Sequence, residues 1–269
     1  MLIDTHAHLD YSDFDLDRDS ILQRAQEAGV TRIISIGTTA KSSANAVKLA
    51  TEHAFVSATV GIHPTEVDEA LESDFEILQR LVRDRKVVAV GEIGFDFHHL
   101  PGRDLSVEAA APLIAQNKIR QEYWFRKQLD LAVEHQLNVV IHQRDAWEDT
   151  LRVLREYQGR VRAVYHCFGG SIEQAREVIE MGNLLSFTGI ITFKNAKLVQ
   201  ETVQKISAED FMVETDCPYL APVPHRGKRC EPWHTRLVAE KAAELRDLSV
   251  EEIARSTTKV AESFFRFTL

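Results

Sequence analysis

The stretch "IDTHAHLD" (3–10) sets two histidines one residue apart between aspartates, directly after an apolar start. On a β-strand, side chains two apart share a face, about 7 Å from one another along the chain. His6 and His8 could therefore chelate one cation together. Similar groups close other apolar, β-branched runs: His63 follows "VSATVGI", Glu92 lies in "VVAVGEI", and His142, His166 and Asp216 end "NVVIH", "RAVYH" and "FMVETD". Imidazole nitrogens and carboxylate oxygens with no thiolate suit Zn, Mn or Mg. His6, His8, Glu92, His142, His166 and Asp216 are donors enough for two divalent metal ions, with Glu92 placed to bridge them. Such a pair activates water as a hydroxide at neutral pH and stabilises the charge that builds up in attack on a phosphodiester.

Side chains this far apart in sequence need a scaffold that gathers them. Eight apolar runs recur: "MLIDTH" (1–6), "RIISIG" (32–37), "VSATVGI" (56–62), "VVAVGEI" (87–93), "NVVIH" (138–142), "RAVYH" (162–166), "LLSFTG" (184–189) and "FMVETD" (211–216). Helically spaced segments such as 20–29, 123–136 and 174–182 separate them. The alternation predicts parallel strands with right-handed crossovers, and eight repeats predict a (β/α)8 TIM barrel, an α/β fold of one domain over 1–269. An open doubly wound sheet is the alternative, but no G-x-G-x-x-G follows the first strand. Barrel sites form at the carboxyl ends of the strands, where the six groups fall. In strand five Asn138, Val140 and His142 share a face; in strand six Val164 and His166 do.

Other segments yield further expectations. "HHLPGRDLSVEAAAPLIAQNK" (98–118) reads as a loop insertion after strand four that overhangs the active face. A C-terminal helix over 249–267 packs outside the barrel, with Ser249 as N-cap and Glu252 completing a capping box. Cys167 and Cys217 fall one residue out of phase with the ligands and should face the helix layer, in packing roles. Glu214 lies one layer deeper than Asp216 and is expected to orient a ligand.

The formal net charge of −9 speaks against a broad basic footprint for long nucleic acid. A hydrophobic fraction of 44% supports a sizeable core, and no apolar run reaches membrane-spanning length. With no secretory leader pattern and three cysteines, a cytoplasmic monomer is the expectation.

The ordered motifs "DTHAHLD", "GIHP", "VGEIGFD", "IHQRDA", "HCFGG", "TGIITFKNA" and "ETDCPYLAPVPHRGK" resemble the TatD family of metal-dependent deoxyribonucleases, among the amidohydrolase-type metallo-barrels. The resemblance spans residues 3 to about 232. It implies that His6, His8, Glu92 and Asp216 hold one metal and Glu92, His142 and His166 the other. It also implies a 3′→5′ exonuclease on single-stranded or frayed DNA. Two departures stand out: the long 98–118 insertion, and Cys230 where the family more often has Asn.

On this basis Asp216 is the general base and metal ligand, and Glu92 the bridge. His63, Arg144, His225, Arg226 and Lys228 are the candidates for holding a short DNA strand end, with Arg229 beside them. The alternatives are an amidohydrolase-type enzyme acting on an amide, ester or acylated tRNA, and a metal-binding scaffold without catalysis. Relatives that bridge their metals with a modified lysine differ from this chain, which has Glu92 there.

Overall fold

The apolar runs form strands. In the computed structural model, which describes residues 1–267, they are β1 (Leu2–Ala7), β2 (Val30–Ser35), β3 (Val56–Val60), β4 (Val87–Asp96), β5 (Asn138–Arg144), β6 (Ala163–Tyr165), β7 (Leu184–Phe187) and β8 (Phe211–Val213). Each pairs in parallel with the next in sequence order. The seam between β8 and β1 is closed by an Ala7–Cys217 bridge and by two backbone bonds, His8 N–H to Cys217 O (2.8 Å) and Asp216 N–H to His6 O (2.9 Å). The result is a (β/α)8 barrel. Around it run α1 (Arg18–Glu27), α2 (Ala40–Glu52), α3 (Glu72–Leu81), α4 (Val107–Glu134), α5 (Trp147–Glu156), α6 (Ile172–Glu180), α7 (Lys197–Lys205), α8 (Thr235–Arg246) and α9 (Val250–Phe265). Among the described residues no helix is long and apolar enough to cross a membrane.

Two apolar clusters hold the layers. The larger lies between strands and helices; the smaller fills the barrel with Ile3, Ile34, Val88, Val140, Val164, Leu184 and Met212. Helix α9 begins as expected, with Ser249 and Glu252 exchanging capping bonds. Its placement differs from a purely outer position. Ile253 and Ala254 join the outer layer, but Val260, Phe264 and Phe265 join the inner cluster, and Asn138 Nδ2 donates to Phe264 O at the start of β5. The helix thus turns under and seals the barrel floor. Burying each phenylalanine there is worth about 1.5–3 kcal/mol.

The segment 98–118 is not one loop. From Val107 it is the start of α4, a helix of 28 residues whose N-cap Ser106 accepts from Ala109 N–H. Three consecutive alanines (109–111) favour the helix enough to carry Pro112 in its second turn. Only residues 97–106 form the loop beyond β4.

Strand alternation holds in β5 and β6 but not in β1 and β4. Between Asp4↔Ile33 and Ala7↔Ser35, β1 takes one more residue than β2; between Val90↔Val139 and Ile93↔Ile141, β4 takes one more than β5. Each extra residue is a bulge, and the two bulges contain His6 and Glu92. A bulge re-aims a side chain, and here it turns both inward at the mouth.

Candidate active site

Glu92 is 3% exposed and stands at the centre of the barrel mouth. Its Oε1 is 2.7 Å from His142 Nδ1, 2.7 Å from His166 Nε2 and 3.4 Å from His63 Nε2. Its Oε2 is 3.3 Å from His6 Nε2 and 3.9 Å from His8 Nε2. Asp216 Oδ1 closes the other side, 3.3 Å from His8 Nε2 and 3.6 Å from His6 Nε2. The sequence-derived set of six is therefore brought together.

These neighbours mostly do not hydrogen-bond one another. His6 Nε2 and Nδ1, His8 Nδ1 and His166 Nδ1 are buried without a hydrogen-bond partner. Nitrogens 3.3–3.9 Å from carboxylate oxygens, yet misaligned for hydrogen bonds, suit a common point between them. A tetrahedral shell with metal bonds of about 2.1 Å has ligand–ligand edges of about 3.4 Å. The 3.4 Å between His142 Nδ1 and His166 Nε2 and the 3.3 Å between His8 Nε2 and Asp216 Oδ1 are edges of that size. The residues fit divalent metal ions.

Electrostatics agree with the packing of opposite charges. Burial would push the Glu92 carboxyl up, but His166, His63 and His6 around it hold it well below the usual range. Burial works against a charged His166, yet Glu92 and Glu214 raise it well above an ordinary histidine. Asp216 is likewise held low: burial works against its charge, but His8 and His6 beside it outweigh that.

His63 is set apart. The Thr65 backbone N–H donates to its Nδ1 (3.2 Å), so the ring's proton must sit on Nε2, which faces Glu92. Burial and the neighbouring His142 push its pKa down to about 4, so it is a neutral N–H donor at the mouth rather than a cation.

Glu214 behaves as expected of an orienting group. It accepts from Cys167 N–H (2.7 Å) and Ser186 Oγ (2.6 Å), and it lies 3.5 Å from His166 Nδ1. Cys217 is buried in the outer layer, also as expected. Cys167 is not. Strand β6 stops at Tyr165, Cys167 takes a left-handed conformation (φ 47°), and its thiol lies 3.4 Å from Thr188 Oγ1 on the cleft wall. Burial pushes that thiol up to about 12, so it stays protonated.

Beside known proteins, the sequence profile of the TatD related DNase family matches residues 3–266. The chain belongs to that family. The Bacillus subtilis (strain 168) protein named uncharacterized metal-dependent hydrolase YabD is 40% identical over 267 residues, 99% of either chain. The 3′-5′ ssDNA/RNA exonuclease TatD of Pantoea ananatis (strain LMG 20103) is 33% identical over 271 residues, 98% of this chain and 99% of its own. The crystal structure of YJJV, a TatD homolog from Escherichia coli K12, superposes with a TM-score of 0.89 at 30% identity, covering 99% of this chain and 98% of that one. The protein is thus a metal-dependent hydrolase of the TatD type.

The TatD-type cleft above the centre has a volume of 1340 Å³. His63 and Arg144 line it; His225, Arg226 and Lys228 do not. Arg226 lies over the Phe193 ring and His225 stacks on His234. Arg229 is occupied elsewhere, bound to Asp17 (2.6 Å) at the start of α1 and to Glu231 (3.1 Å) two residues on. Three groups at the site escaped the sequence reading. Tyr11 stacks on His8 with ring centroids 4.7 Å apart, Tyr219 packs edge-on against Tyr11, and Asp96 lies 3.1 Å from His142 Nε2. Asp96 was legible in principle, because 92, 94 and 96 alternate on one face once β4 is extended beyond Ile93.

Proposed function

We propose that this TatD-family enzyme is a deoxyribonuclease that shortens single-stranded or frayed DNA from the 3′ end, with two divalent ions at the barrel mouth. The observation that carries this reading is the convergence of four histidines, from β1, β5 and the residues just past β1 and β6, on Glu92 of β4 and on Asp216, just past β8. His6, His8, Glu92 and Asp216 would hold one ion, and Glu92, His142 and His166 the other. Bound ions would supply a nucleophile at neutral pH and offset the negative charge of the reacting phosphate.

The chain's own groups divide the remaining work. Asp216, its carboxylate held ionised, takes the proton of the attacking water at its free oxygen. His63 donates its Nε2–H to a phosphate oxygen, and Arg144 pairs with the same charge from the rim. Tyr11 and Tyr219 offer ring faces beside His8 on which a base can stack. The cleft favours an end over a long strand. Among the described residues Arg144 is the only Lys or Arg lining it, against Glu66, Asp145, Glu148 and Asp149 besides the central acids.

The test is a labelled single-stranded oligonucleotide incubated with metal-loaded protein, with and without chelator. Stepwise shortening from the 3′ end that stops when chelator is added is the expected result. Intact oligonucleotide, with release of acid or amine from a panel of esters, amides and acylated tRNA, would move the assignment to another metallohydrolase.

A further inference from the structure

We propose that Asp96 is a positioning residue that fixes which ring nitrogen of His142 faces Glu92. It is the last residue of β4 and is 1% exposed. Its acceptors are filled: Oδ1 takes His99 N–H (2.8 Å), while Oδ2 lies 2.8 Å from His99 Nδ1 and 3.1 Å from His142 Nε2. A carboxylate engaged in this way has no proton to give, so each imidazole nitrogen facing it must carry one. For His142 that keeps a hydrogen on Nε2 and leaves Nδ1, 2.7 Å from Glu92 Oε1, as the nitrogen that would give up its proton and turn a lone pair to an ion bound there.

The backbone that carries this carboxylate is pinned from behind by α4, while His99 holds the carboxylate itself. The Gln121 side chain accepts from Asp96 N–H (2.9 Å) and donates to Asp96 O (2.9 Å). Gln121 in turn donates to Asn117 Oδ1 (2.8 Å), and Asn117 Nδ2 donates to Asp68 Oδ2 (2.7 Å). One helical turn of buried amides therefore secures the end of β4 from which the carboxylate reaches the histidine. Seven residues on, Gln128 holds Ile62, next to His63, by the same two-sided contact. Both histidines that lie 2.7 Å from Glu92 Oε1 have a carboxylate behind them, Asp96 at 3.1 Å for His142 and Glu214 at 3.5 Å for His166.

The inference rests on the ligand assignment proposed above for His142, and two readouts keep the two separable. In zinc-loaded protein, long-range ¹⁵N–¹H spectra of the histidine rings should show the His142 proton on Nε2. Asp96→Ala should lose that protected proton and weaken zinc binding by roughly 10–100-fold. Asp96→Asn keeps an acceptor of the same shape, so it should retain the proton on Nε2 and lie within about tenfold of wild type in affinity. Zinc affinity and ring signals unchanged in Asp96→Ala, a wild-type proton on Nδ1, or Asp96→Asn as weak as Asp96→Ala would each overturn the role. A wild-type protein that took up no ion would overturn the ligand assignment instead. The tautomer of neutral His142 at alkaline pH in metal-free protein would then still decide the role of Asp96.

Discussion

A ring nitrogen 2.7 Å from an ionised carboxylate oxygen needs something positive between them, a proton or a metal ion. At the barrel mouth this situation arises at both His142 and His166, and it ties the site's residues to cation chemistry more firmly than their types alone. Asp216 differs from the other donors in having a base's task as well. Asp216→Asn keeps the size and one oxygen, so thermal unfolding should stay close to wild type. Turnover of a labelled oligonucleotide should fall by roughly 10²–10⁴-fold. A variant with full turnover would remove Asp216 from the base role. The residue types of the site were legible because each sits near the end of an apolar run. Asp96 was missed because its strand continues through "GFD", which carries no strongly β-forming pair after Phe95.

Elements decide where those residues point. Regular alternation placed His142 and His166 correctly, but His6 and Glu92 face the mouth through bulges, which sequence periodicity does not reveal. The "VGEIG" motif does have a physical reading. Gly94 pairs with His142 and has φ 141°, and a Cβ there would lie within bonding-like distance, 2.1 Å, of His142 O; a Cβ at Gly91 would meet Val140 Cβ at 2.6 Å. The glycines let β4 press against β5 so that Glu92 reaches His142. Gly94→Ala should therefore destabilise the fold by about 2–4 kcal/mol and weaken zinc binding together. Urea unfolding and a zinc titration check both, and an effect on neither would show that the close approach is dispensable. Helix α4 was half legible. Its apolar residues marked 123–136, but its first turns look like a loop, since Gly102 lies shortly before them, Pro112 punctuates them, and the buried Asn117 and Gln121 break the apolar period. The basic "HRGKR" stretch was legible as charge only. The partners that take up Arg229 and Arg226, Asp17 and Phe193, lie far away in sequence.

For the whole molecule, acid sensitivity extends beyond the catalytic mouth. His234 is buried, accepts from Glu231 N–H at Nδ1 and stacks on His225. Burial, then the neighbouring His225, push its pKa down from 6.5 to about 4. The unfolded chain therefore binds this proton first. The contribution of His234 is fully present above about pH 6.5 and is lost as pH falls towards 4, by about 1–3 kcal/mol in all. Denaturant unfolding of wild type and His234→Asn between pH 4 and 7.5 reads this directly. The wild-type curve should fall more steeply, and parallel curves would refute the assignment. The barrel itself was legible because eight parallel strands covered on both faces leave near-continuous apolar runs. The floor formed by α9 was not, since an amphipathic C-terminal helix looks the same whether it flanks a barrel or plugs it.

The seam where β8 meets β1 joins the two extremities of the barrel's strand order through backbone bonds around the Ala7–Cys217 bridge and through side-chain links from Thr215 to Asp4 and from Thr5 to Val213. His6 and His8 stand on one side of that join and Asp216 on the other. On the ligand set proposed above, an ion gripped by all three is a buckle that fastens the first strand to the last. Amide hydrogen exchange in β1 and around Asp216 should therefore slow more on zinc loading than exchange in β2 or β3. Equal slowing everywhere would mean that the join holds without its buckle.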